Sequence, residues 1–152
     1  MDGLTRSSTS NSSDRLDPIE IWKSISNNYR VLHRDAEKAL NPTGLSLAEL
    51  RILHMLNESG PLPMRKLTDG ILITPGAMTG LIDGLEDKGF VERIRSKYDR
   101  RIIMIKNTSK GEPILKKARL LHKQYVEKKF ELLSKEEIFQ LMGLLDKISK
   151  SS

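Results

Sequence analysis

The stretch TPGAMTGLIDGLEDKGFVER, residues 74–93, decides the fold. Thr74-Pro75 is a helix start, a hydroxyl side chain that can cap the first turn followed by a proline whose fixed φ suits the first helical position. The helix it opens is predicted to reach Lys88, where Gly89 supplies the left-handed residue that closes many helices. On a helical wheel Met78, Leu81, Ile82 and Leu85 share one face and are predicted to be core. Pro75, Gly76, Thr79, Gly80 and Asp83 share the other. The first two turns of that second face are small and uncharged, whereas a helix that meets only water usually carries Lys, Glu or Gln there. Small side chains let a helix come close to another surface, and a DNA major groove about 12 Å wide is one such surface. Thr79 can exchange a hydrogen bond with a base edge or lay its methyl on thymine, and the amides near Thr74 and Gly76 favour a phosphate. A helix packed against another protein has the same outline, and this face alone leaves both readings open.

The segment after the helix separates them. The period changes from helix to strand: Phe90, Val91 and Ile94 alternate with Arg93 and Arg95, Ile102–Ile105 form a second apolar run, and Ser96–Arg101 are the polar turn between. This predicted hairpin carries Arg93, Arg95, Lys97, Arg100, Arg101 and Lys106, and residues 91–107 have a net charge of +4. Basic residues at a hairpin tip can enter a minor groove while the preceding helix occupies the adjacent major groove. Asp99 would repel phosphate and is read instead as an internal partner that orients Arg101.

Upstream, a first helix opens at Asp17-Pro18 and carries a stripe of Ile21, Ile25, Tyr29, Leu32, Ala36 and Leu40 before Asn41-Pro42-Thr43-Gly44 ends it. A second begins at the capping box Ser46-Leu-Ala-Glu49 and runs to Asn57, with Leu50, Leu53 and Leu56 inward. Glu58–Pro63 reads as a break, and Met64–Gly70 as a short third helix. With the Thr74–Lys88 helix it makes a helix-turn-helix. Downstream, Thr108 and Ser109 are predicted to cap a long fifth helix bearing Ile114, Leu115, Ala118, Leu121, Tyr125 and Leu132. A second capping box, Ser134–Glu137, opens a sixth with Ile138, Leu141, Leu144, Leu145 and Ile148. The expected order is α-α-α-α-β-β-α-α, a mainly α fold with a small β-hairpin wing. Residues 1–16 are predicted to be a disordered tail, 17–43 and 108–152 a helical dimerisation region, and 44–107 the DNA-binding lobe.

Composition narrows the function. The 152 residues include no cysteine, which excludes disulfides, thiolate metal sites and thiol redox sensing. Hydrophobic residues make up 38% and charged residues 30%, a balance that suits extended helices partly covered by a partner chain. No apolar run suggests a signal peptide or membrane span, so a soluble cytoplasmic protein with no membrane partner is expected. His33, His54 and His122 lack a metal-ligand pattern beyond Glu37 and Glu58 at helical spacing, and neither metal nor cofactor is expected. Met55, Met64, Met78, Met104 and Met142 read as core. Glu86-Asp87 and Glu136-Glu137 read as helix-surface charges, and no nucleophile elbow or nucleotide-binding loop is present, so an enzyme is not expected.

From about Leu45 to Gly111 the chain resembles the MarR family of winged helix-turn-helix regulators. The resemblance rests on Gly76–Asp83, Leu85–Arg93, Asp99-Arg-Arg101 and Ile105–Gly111 in this order and spacing. It implies a transcriptional regulator, a repressor released by a small-molecule effector, that forms a homodimer through its first, fifth and sixth helices on a pseudo-palindromic operator in double-stranded DNA. Thr79 and the helix start (Thr74, Pro75, Gly76, with Gly80) match recognition-helix positions. Arg100 and Arg101 match wing-tip arginines, with Arg93, Arg95 and Lys97 beside them. An effector pocket between the lobes is implied, for which Trp22, Tyr29, His33 and His54 are the candidates. Many relatives carry basic residues where this chain has Leu81 and Gly84, which thins the expected contacts from that half of the helix. A urate-responsive branch is also similar, but its recognition-helix arginines are missing here and urate is not carried over. The rival class is a winged-helix protein-interaction module, for which Arg100 and Arg101 would be dispensable.

Overall fold

The computed structural model describes residues 17–150, so the tail predicted for residues 1–16 lies outside the described residues. The chain forms α1 (Pro18–Leu40), a 3₁₀ turn (Asn41–Thr43), α2 (Leu47–Ser59), β1 (Leu62–Pro63), α3 (Met64–Ile71), α4 (Pro75–Asp87), β2 (Val91–Arg95), β3 (Ile103–Asn107), α5 (Gly111–Phe130) and α6 (Lys135–Ser149). It divides into two compact units, one up to Arg34 and one from Asp35 onward.

The second unit holds the core. Leu40, Ile52, Leu53, Leu67, Met78, Ile82, Leu85, Val91 and Ile105 are fully buried, contributed by α1's last turn, α2, α3, α4 and the sheet. The helix starts follow from the sequence. Ser46 accepts from Glu49 N and Glu49 answers by accepting from Ser46 N at 2.8 Å, a complete capping box. Ser134 and Glu137 repeat it at α6. At Gly89 the backbone turns left-handed (φ +74°), where a side chain would be strained, and Phe90 leaves in a new direction.

One element escapes the sequence pattern. The sheet has three antiparallel strands in the order β1-β3-β2, not two: Leu62 and Pro63 pair with Ile105 and Met104. Two residues are too few to show a period of two, and Pro63, lacking an N–H, is tolerated because β1 is an edge strand. β3 also begins and ends later than expected, since pairing runs from Arg95↔Ile103 to Val91↔Asn107 and leaves Ile102 in the turn. α5 is regular from Gly111, and Thr108 before it serves both sides: its hydroxyl accepts from Gly111 N at 3.2 Å, the capping contact expected, and donates to Gly89 O at 2.6 Å, while its N–H donates to Phe90 O at 3.0 Å.

Burial leaves much of the terminal helices open and corrects one core assignment. Of the α1 stripe only Ala36 and Leu40 are buried, while Ile21, Ile25, Tyr29 and Leu32 are exposed. Leu132 is exposed, and no residue of α6 is buried. Met142 is 61% exposed and is not core. These helices have the apolar spacing of packed helices, but the described residues leave much of that surface exposed.

Candidate nucleic-acid interface

α3 and α4 are joined by a tight turn in which Leu72 adopts the left-handed conformation (φ 60°, ψ 47°) and donates its N–H to Thr68 O at 3.0 Å. A leucine there costs about 1–2 kcal/mol of backbone strain, which the flanking helices must hold. Met78, Ile82 and Leu85 are buried against the lobe and Leu81 is half-buried, so Pro75, Gly76, Ala77, Thr79, Gly80 and Asp83 face solvent. Thr74 caps the start of α4 by accepting from Ala77 N at 3.2 Å. Gly76 lies in the first turn, where an N–H has no acceptor within the helix. A Cβ built at Gly76 or Gly80 meets nothing within 4 Å, so the protein's own packing requires neither glycine. In a helix each costs about 1 kcal/mol relative to alanine. The Thr79 hydroxyl donates to Pro75 O at 3.0 Å, which leaves its methyl and lone pairs as its outward chemistry.

The wing is braced by its own polar groups. At the tip, Ser96 Oγ accepts from Tyr98 N at 3.2 Å and Asp99 Oδ1 accepts from Arg101 N at 2.9 Å. Asp99 also lies 3.6 Å from the Arg101 Nε, although that guanidinium is 94% exposed. Arg95 donates across the hairpin to Arg100 O at 3.5 Å. Lys97 and Arg100 are exposed and form no ion pair among the described residues. Lys106 is paired with Glu92 across the strands at 3.2 Å, which largely cancels its charge.

Arg93 is placed differently from the other cations. Its guanidinium joins Asp83 and Glu86 of α4, and Glu86 also accepts from Arg93 N at 3.1 Å. The hydrogen bond to Asp83, with help from Glu86 and against partial desolvation, holds the arginine's pKa above its already high value. Arg93 thus ties the outward helix to the first wing strand, and Glu86 is a half-buried brace where the sequence suggests a surface charge. Sequence reasoning missed this clamp, although Asp83 and Glu86 at i and i+3 share a helix face and gave a signal. It also missed a second one. Lys88, just after α4, donates to Glu49 Oε1 at 2.7 Å and to Gly44 O at 2.9 Å, fixing the end of α4 to the capping box of α2.

The effector candidates divide between the two units. Trp22, Tyr29 and His33 are exposed on α1 in the first, with the Tyr29 and His33 rings 5.7 Å apart. His54 lies on α2 in the second, its Nε2 3.4 Å from Glu58 and its buried Nδ1 without a hydrogen-bond partner. Among the described residues no group of three His, Asp or Glu side chains could hold a metal ion, and no helix is long and apolar enough to cross a membrane.

This lobe has known counterparts. Residues 45–103 match the model of the MarR family. The chain is 34% identical to the HTH-type transcriptional regulator YpoP of Bacillus subtilis over 70% of its own length and 75% of the relative's. It is 27% identical to the B. subtilis regulator MhqR over 86% and 90%. Among solved structures, a MarR-like transcription regulator from Bacillus cereus is similar with a TM-score of 0.80 at 26% identity, covering 87% of this chain and 95% of that one. The fold is also that of an Escherichia coli MarR mutant solved with operator DNA, with a TM-score of 0.78 at 24% identity over 86% and 94%. The chain belongs to the MarR family of DNA-binding transcriptional regulators.

Proposed function

We propose that the protein is a homodimeric, sequence-specific regulator that places one α4 helix in the major groove of each half-site of a pseudo-palindromic operator. The observation that carries this reading is the pairing of two surfaces. Over its first two turns the outward face of α4 is small and uncharged, its glycines are not required by internal packing, and beside it Lys97, Arg100 and Arg101 stand exposed at a braced wing tip. Thr74, Pro75, Gly76, Thr79 and Gly80 are the groove-facing residues. Arg95, Lys97, Arg100 and Arg101 supply phosphate and minor-groove contacts. Arg93, held by two carboxylates, positions α4 against the wing rather than contacting DNA.

The dimer is supported by apolar residues exposed among the described residues: Ile21, Trp22 and Ile25 on α1, Leu120 and Val126 on α5, and Phe139, Met142 and Leu144 on α6. Half-sites one DNA turn apart place the two recognition helices about 34 Å from one another. Repression released by an effector completes the reading. It rests on the family resemblance, with Trp22, Tyr29, His33 and His54 as the residues to probe.

The test is the wing. Arg100→Ala combined with Arg101→Ala is expected to weaken operator binding by at least about tenfold at moderate salt and to reduce the salt slope by up to about four, because two phosphate-neutralising charges are gone from each protomer of the dimer. Affinity and slope equal to the parent's in a titrated mobility-shift assay would remove the wing from the interface and favour a protein-interaction module.

A further inference from the structure

Side chains that read guanine in the major groove are Arg and Lys, and those that read adenine are Asn and Gln. From Pro75 to Asp87, α4 has none of the four, nor a histidine; its only charged groups are Asp83, Glu86 and Asp87. Of the two acids on the outward face, Asp83 is paired through Oδ1 with Arg93, and Asp87 lies in the last turn, at the opposite end of the helix from Pro75–Gly80. The face instead offers the Pro75 ring, the Ala77 methyl and Thr79, with glycines at 76 and 80 that keep the surface low. The Thr79 hydroxyl donates to Pro75 O at 3.0 Å, which leaves its methyl and its lone pairs as the chemistry it turns outward. The apolar group that a major groove presents is the C5-methyl of thymine, which suits contact with alanine and with the threonine methyl.

We propose that α4 selects its operator through thymine methyl groups, with Ala77 and Thr79 as the contacting residues and Gly76 and Gly80 allowing the close approach, and that it makes no guanine contact. This rests on the DNA-binding reading above and specifies its chemistry. The wing arginines act in the minor groove and on phosphates, and contribute nothing to this discrimination.

The experiment starts with selection of bound duplexes from a random pool by the purified full-length protein. In the selected site every half-site dT is then replaced by dU, which deletes only the methyl. In a separate duplex every half-site dG is replaced by 7-deaza-dG, which deletes the N7 acceptor. The dU duplex is expected to bind about tenfold more weakly, as the loss of two buried methyl contacts predicts, and the 7-deaza-dG duplex within about twofold of the parent. Thr79→Ser, which keeps the hydroxyl and removes the methyl, is expected to bind the dT duplex more weakly than the parent and to lose part of the parent's discrimination against dU. Equal binding of dT and dU duplexes, or a tenfold loss with 7-deaza-dG, overturns the proposal while leaving DNA binding intact. A pool with no enriched sequence overturns the DNA reading and this proposal with it.

Discussion

At the scale of single residues, two kinds of glycine sit in this chain for opposite reasons. Gly111, the first residue of α5, is required by the protein: a Cβ there would come 2.6 Å from Phe90 O, a backbone atom fixed by Thr108 on the same strand exit. Gly111→Ala is expected to destabilise by about 1–3 kcal/mol, the usual cost of forcing a methyl into a packed site, measured by urea unfolding at constant m-value. Gly80 is free of such neighbours. Gly80→Ala is expected to stabilise the free protein by about 1 kcal/mol, since alanine is the better helix former and strain is absent, and yet to weaken operator binding. A variant that gains stability and keeps full affinity would show that close approach at Gly80 is not needed. The hairpin cations differ in the same way. All six look alike in the sequence, and the structure divides them by partner: Arg93 serves α4, Lys106 serves Glu92, and the rest lie at or beside the tip.

At the scale of elements, the helices were legible because their ends are chemically marked. Thr74-Pro75, the two capping boxes and Gly89 each supply or demand a specific backbone hydrogen bond, and each marks a helix end within about a residue. β1 was not legible, since a two-residue strand has no period and is defined only by pairing with β3 far along the chain. The α4 surface was legible as a face, from the 3.6-residue period, but the commitment of the Thr79 hydroxyl was not. That bond depends on a rotamer, not on spacing. The Arg93 clamp lay between these cases. Its carboxylates share a helix face, but the fold must bring β2 back along α4 before the third partner arrives. Arg93→Ala is therefore expected to loosen the wing and reduce DNA affinity while leaving self-association unchanged. Sedimentation and mobility shift on the same preparation check both halves. A dimer that dissociates would mean that Arg93 supports more than the lobe.

At the scale of the whole molecule, the apolar stripes predicted for the terminal helices exist, but most of their residues are exposed within one chain. An α6 with Phe139 at 74% exposure and Met142 at 61% is costly to leave in water, since each fully buried large apolar side chain is worth about 1.5–3 kcal/mol. A second copy is the partner proposed for this surface, and a two-fold dimer would cover it on both chains. Leu144→Glu is expected to shift the protein toward monomer at micromolar concentration in sedimentation equilibrium, and to lower operator affinity with it because paired half-sites are no longer engaged together. Leu144→Glu remaining a full-affinity dimer would move the interface off α6.

Whether this chain reads DNA sequence as a dimer is tested most directly by genomic selection with the purified protein. Fragments of the source genome are bound, recovered and sequenced at moderate salt. The expected result is enrichment of a pseudo-palindromic site whose half-sites are centred about 10 base pairs apart, one turn of DNA. Recovery of fragments in proportion to their abundance, with no shared site, would contradict it.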